Sequence, residues 1–165
     1  MHQSMLFPTF AVDITEVAMP FRPPFFDNVA EALNPVLHDL PGKIVSIDGA
    51  DGSGKTTLGR FLAWYFNVTL LESDNFILEG KGLIYDVDTV RALIRRRLKK
   101  PRPILIEGVV VLRLLSEVGY QSDFHIHLQK DSGSSSEFLA DALEQYQREF
   151  RPSERAHLII TTTYD

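Results

Sequence analysis

The chain has no cysteine, only three methionines and a single tryptophan in 165 residues. Without thiols there can be no disulfides and no thiolate metal centres, which fits a reducing compartment. Basic charge is not in surplus: 17 Lys and Arg stand against 22 Asp and Glu, a net charge of −5 that argues against a general nucleic-acid binder. No apolar run approaches membrane-spanning length, and the N-terminus lacks the basic-then-apolar order of a signal peptide. Internal repeats are absent too. The chain therefore reads as cytoplasmic, with no membrane or nucleic-acid partner and an oligomeric state left open. Its 44% hydrophobic content is ordinary for a globular protein. Its length suits one domain over 1–165, with an N-terminal extension over 1–42 and a core over 43–165.

What the chain does contain is a phosphate-binding pattern. From Gly49 to Thr56 the residues satisfy G-x-x-x-x-G-K-[ST], after a short apolar run that reads as a buried strand and before a stretch that reads as a helix. Glycines at 49, 52 and 54 let successive backbone N–H groups turn into one concavity with no side chain in the way. Lys55 supplies a mobile cation for the β- and γ-phosphates, Thr56 a hydroxyl for Mg²⁺, and the following helix aims its positive end at the anion. Gly49, Ala50, Asp51, Gly52, Ser53, Gly54, Lys55, Thr56 and Thr57 are the candidate nucleotide-binding residues.

Other segments arrange themselves around this loop. Phe10, Val12 and Ile14 alternate with polar or small residues as in a half-buried strand. Pro20, Pro23 and Pro24, interleaved with Phe21, Phe25 and Phe26, read as an extended linker. Asp27 is placed to cap a helix with Val29, Leu33, Val36, Leu37 and Leu40 on one face, kinked at Pro35. After the loop, Leu58, Phe61, Leu62 and Tyr65 form the stripe of a helix, and a strand over 68–71 delivers Asp74 at its carboxyl end. Ligands collect outside the carboxyl ends of parallel strands, so Asp74 is placed to accept the proton of an attacking hydroxyl or to help hold Mg²⁺.

Asp88 is expected to cap a helix carrying Val90, Leu93, Ile94 and Leu98 inward, with Arg91, Arg95, Arg96, Arg97, Lys99 and Lys100 as a solvated face. A third buried strand ends in Glu107, a carboxylate suited to a metal or its water shell opposite Thr56. Helix is expected over 109–118. A fourth strand over 124–128 puts His125 and His127 on one face, where two histidines could begin a metal site with no third ligand evident. A Ser-rich connection over 131–136 leads to a helix over 138–150, ended by Arg151-Pro152, and a last strand over 156–161. Alternating strands and helices predict an α/β fold, a doubly wound, parallel five-stranded sheet of the P-loop kind.

The combination of Ile47-Asp48-Gly49, Asp51-Gly52-Ser53-Gly54-Lys55-Thr56-Thr57, Ser73-Asp74-Asn75-Phe76, Tyr85-Asp86-Val87-Asp88, Glu107-Gly108 and Phe150-Arg151-Pro152-Ser153-Glu154-Arg155-Ala156 resembles the uridine kinase-like P-loop kinases. The resemblance implies transfer of a phosphoryl group from ATP, with Mg²⁺, to a hydroxyl of a small metabolite. It makes Asp74 the base, Thr56 and Glu107 metal-associated with Asp74 nearby, and Tyr85 and Asp86 substrate contacts. Two parts of the family pattern are missing. Lys99-Lys100-Pro101-Arg102-Pro103 runs almost directly into the third strand where nucleoside-specific members carry a base-gripping hairpin, and no R-x-x-R-D lid follows the fourth strand. The expected activity is thus a small-molecule kinase with an unidentified acceptor; the alternative is a nucleotide-binding protein that hydrolyses slowly or senses nucleotide. With no lid arginines, Arg151 and Arg155 are expected to supply catalytic charge beside Lys55, ahead of Lys130, whose ammonium lacks the fork of a guanidinium.

Overall fold

The computed structural model describes residue 23 and residues 25–80, 82–130 and 140–162. The strand expected over 10–15, the first part of the Pro-Phe linker and the Ser-rich connection lie outside the described residues.

Helix α1 (Phe25–Leu37) opens the described chain and leads to strand β1 (Ile44–Gly49), the phosphate loop and helix α2 (Lys55–Tyr65). Strand β2 (Thr69–Glu72) runs into a 3₁₀ turn (Ser73–Phe76), followed by helix α3 (Val87–Lys99), strand β3 (Ile104–Glu107) and helix α4 (Val111–Glu117). Strand β4 (Phe124–Lys130), helix α5 (described from Ala140 to Phe150), the short helix α6 (Pro152–Arg155) and strand β5 (Leu158–Thr162) complete it. The sheet is five-stranded and parallel throughout, in the order β2-β3-β1-β4-β5. Chain order reverses at β1, so the crevice beside its carboxyl end is where a ligand is expected.

Every residue of β1 and β3 is buried, as central strands covered on both faces require. Alternation along β1 and β4 sends Val45, Ile47, Ile126 and Leu128 toward α1 and α2, where Phe26, Val29, Leu33, Leu58 and Leu62 meet them. The opposite face packs Ile44, Ile104 and Ile106 against Val90, Ile94, Leu114, Leu115 and Tyr146. The result is a three-layer sandwich.

Local chemistry shifts several expected boundaries. Helix α1 begins at Phe25, so Phe25 and Phe26 belong to the helix rather than the linker; Phe26 is buried, its ring 5.1 Å from that of Phe61. Asp27 falls in the first turn, and the helix runs only two residues past Pro35, whose missing N–H weakens its last turn. Asp86 caps α3, accepting from Thr89 N at 3.1 Å and from the Thr89 hydroxyl at 2.6 Å, while the expected cap, Asp88, pairs with Arg91 at 2.6 Å. Val90 and Ile94 are its buried residues, whereas Leu93 stays exposed. Pro152 both ends α5 and starts α6, because its fixed φ suits a first helical position.

Candidate functional site

Two glycines shape the loop between β1 and α2. Gly49 has φ +146° and passes so close to β4 that a Cβ would collide with the Leu128 carbonyl oxygen. Gly54, at φ 88°, turns the chain into α2, whose first residue is Lys55. The Lys55 ammonium folds back to donate to the Ala50 carbonyl at 2.8 Å. Burial pushes its pKa down, and the charges of Glu107, Asp51, Asp74 and Asp48 pull it back up. Ser53 is fully buried and its hydroxyl has no hydrogen-bond partner among the described residues.

Two acids reach this cradle from neighbouring strands. Glu107 ends β3, next to β1, and accepts from the Thr56 hydroxyl at 3.1 Å. Burial raises its pKa, partly countered by Thr56 and Lys55. Asp74 sits in the 3₁₀ turn beyond β2 and, with Asp51, Gly52, Gly54, Lys55, Thr56, Thr57 and Val109, lines an open cleft of about 300 Å³. Gly108 makes this convergence possible, since a Cβ there would strike the Ser73 hydroxyl. Thr56 and Glu107 are hard oxygen donors held side by side, with the Asp74 carboxylate in the same cleft, a set that suits Mg²⁺.

Tyr85 and Asp86 stand at the same sheet edge but outside the lining of this cleft. Tyr85 is a core residue, 3% exposed, its phenol pKa raised by burial, and the Asp86 carboxylate is engaged in capping α3. Arg151 and Arg155 are not brought to the loop. They lie in the connection that enters the amino end of β5, and Arg155 lines a cavity with Tyr120, Ser122, His125 and His157 at the edge opposite the phosphate loop. Arg151 pairs with Glu154 at 3.5 Å. The pair expected to supply catalytic charge thus sits at the amino edge, where the helix-to-strand connections of a parallel sheet lie. Lys130, ranked behind them, ends β4 at the loop itself, with its ammonium 3.9 Å from where a Gly52 Cβ would be.

Beneath the loop lies a polar cluster that the linear sequence did not reveal. Asp48 precedes Gly49, pairs in register with His127, and is fully buried beside His125 and His127. Its Oδ1 lies 2.6 Å from His127 Nδ1 and 3.2 Å from His125 Nε2, while its Oδ2 accepts from the Tyr146 hydroxyl at 2.6 Å. Burial would raise the pKa of Asp48, but the neighbouring His125 ring and the bonds from His127 and Tyr146 outweigh it and hold the carboxyl below its ordinary value. Burial and the neighbouring carboxylate drive the Tyr146 phenol upward. The shared face of His125 and His127 was legible; their partner, some eighty residues earlier on the adjacent strand, was not.

No protein-family model matches the sequence, and no curated protein matches it either. Among solved structures the chain is similar to a possible uridine kinase from Bacillus stearothermophilus, at 20% identity and TM-score 0.63, over 82% of this chain and 96% of that one. It also matches a gluconokinase from Sinorhizobium meliloti 1021, at 18% identity and TM-score 0.38, over 75% of this chain and 83% of that one. A third match is a hydrogenase maturation factor from Archaeoglobus fulgidus, at 17% identity and TM-score 0.39, over 82% and 89% of the two chains. The first of these likenesses shows that the chain shares its fold with that possible uridine kinase.

Proposed function

We propose that this protein is an ATP-dependent phosphotransferase acting on a hydroxyl of a small metabolite. The observation that carries the reading is the cleft in which the phosphate loop and Asp74 face one another. A nucleotide-binding loop alone would need no exposed carboxylate across the cleft from its lysine.

Backbone N–H groups from Gly52 to Thr57 and the amino end of α2 would hold the phosphates, and Lys55 would leave the Ala50 carbonyl to reach them. Thr56 and Glu107, with Asp74 nearby, would hold Mg²⁺, which when bound neutralises charge on the phosphate oxygens. Asp74 would accept the acceptor hydroxyl's proton on a carboxylate oxygen, where exposure keeps it available. Lys130 would provide the second cation over the loop, a point charge in place of a lid guanidinium. Asp86, at the same edge, is assigned to the acceptor on the family resemblance alone.

The test is ATP consumption with Mg²⁺ against a panel of nucleosides, sugars and vitamin precursors, in wild type and in Asp74→Asn. Turnover that requires one acceptor and collapses in the variant supports the kinase. Consumption indifferent to every acceptor would contradict it.

A further inference from the structure

The proposed phosphotransfer leaves the Asp48, His125 and His127 cluster unused, although its members are among the most buried polar groups described. A hydrogen-bond chain sets the role of His125 Nδ1. The Ser122 hydroxyl donates to the Phe124 carbonyl at 2.8 Å, so the Ser46 hydroxyl must donate to Ser122 Oγ, at 2.7 Å. Ser46 has then spent its only proton, and His125 Nδ1, 2.7 Å away, must be the donor to Ser46 Oγ. In the neutral ring, Nε2 consequently carries a lone pair. That lone pair is buried, finds no hydrogen-bond partner among the described residues, and lies 3.2 Å from the Asp48 Oδ1 lone pairs. Two lone-pair donors held face to face away from water repel each other unless a proton or a metal ion lies between them, and His127 supplies the third ligand atom that a metal ion would use.

We propose that Asp48 Oδ1, His125 Nε2 and His127 Nδ1 form a binding site for one divalent transition-metal ion of the Zn²⁺ class, set beneath the phosphate loop. The three ligand atoms lie within 4.8 Å of one another. Zn–N and Zn–O bonds of about 2.0–2.2 Å place tetrahedral ligands roughly 3.3 Å apart, so small adjustments close the set. Two imidazoles and one carboxylate select a borderline ion over Mg²⁺, which prefers all-oxygen ligands. Outer contacts hold the ligands in place: Ser46 orients His125, and Tyr146, itself accepting from Leu112 N at 3.3 Å, fixes the carboxylate so that Oδ1 faces both rings. A fourth position is available for water, because Asp48 and His127 also line an open cavity of about 530 Å³ shared with Gly49, Ala50 and Lys130. The ion would pin β1 to β4 where the phosphate loop departs.

The site does not depend on nucleotide, so it is tested without any. Full-length protein stripped with a chelator is titrated with Co²⁺ while visible absorption is followed, then with Zn²⁺ as competitor, and thermal unfolding is recorded with and without Zn²⁺. The expected result is one Co²⁺ per chain with ligand-field bands of a nitrogen- and oxygen-ligated ion, displaced by Zn²⁺, and a higher Tm with Zn²⁺. His125→Gln and His127→Gln should abolish the bands, and exposed His38→Gln should keep them. Ser46→Ala, which frees the His125 tautomer, should weaken binding by roughly 10-fold or more. Should the histidine variants fail to fold, the wild-type stoichiometry and the Ser46→Ala shift still decide. An absence of stoichiometric binding by the wild type, or bands that persist in both histidine variants, overturns the site and leaves a metal-free hydrogen-bond network.

Discussion

Lys55 and Glu107 illustrate what individual residues cost this protein. Both are charged groups taken partly out of water, and each is shifted by burial toward its neutral form. Since the folded-state pKa of Glu107 lies above its unfolded value, its favourable contribution is complete below the ordinary glutamate pKa and is lost as pH rises through the folded value. At neutral pH the ionised carboxylate therefore opposes folding. Glu107→Gln keeps an acceptor for the Thr56 hydroxyl and should raise the Tm of the nucleotide-free protein at neutral pH, with the gain disappearing at acid pH. The same substitution should raise the Mg²⁺ concentration needed for turnover. An unchanged or lower Tm at neutral pH would show that the carboxylate is not strained as described. Lys55→Ala should weaken ATP binding substantially, as read by calorimetry; equal affinity would remove the phosphate-loop assignment.

Elements matter through what they bring to the carboxyl edge of the sheet. Gly49 joins β1 to the loop at a point where β4 leaves no room, so Gly49→Ala should destabilise the fold by on the order of 2 kcal/mol, measured by denaturant unfolding. If the variant matched wild type in stability, the close approach to Leu128 would be wrong. Strand β4 ends in Lys130 at the loop, whereas Arg151, just before α6, and Arg155, at its end, lie at the opposite edge. Lys130→Ala should accordingly slow phosphoryl transfer more than Arg151→Ala or Arg155→Ala, and the reverse order in single-turnover rates would contradict the placement of charge. The sequence ranking was the opposite, because it weighed side-chain chemistry without knowing which edge each connection would occupy. Local signals served better where the physics is local: the glycine spacing from Gly49 to Gly54, and the buried run ending in Glu107. Capping was misjudged by two residues, since Asp86 and Asp88 offer the same side chain and only the path of the preceding chain decides between them.

The molecule as a whole is organised by one reversal of strand order, which sets β3 and β4 on either side of β1. Alternation of strands and helices was enough to anticipate the five-stranded parallel sheet, because buried parallel strands and amphipathic crossovers have distinct periods. Convergence across strands was legible only in part. Asp74 and Glu107 announce themselves as acids at strand ends, while the juxtaposition of Asp48 with two histidines requires the register between β1 and β4. The cleft itself, joining the loop to Asp74, is the feature on which the functional account rests. Its most direct test is the fate of the γ-phosphoryl group: label ATP there, supply Mg²⁺ and the acceptor found by screening, and separate phosphorylated acceptor from inorganic phosphate for wild type and Asp74→Asn. The account predicts that label passes mainly to the acceptor in wild type, and that transfer falls by roughly 10²-fold or more in the variant while ATP affinity is largely kept. Label appearing only as inorganic phosphate, or equal transfer by both proteins, would contradict it.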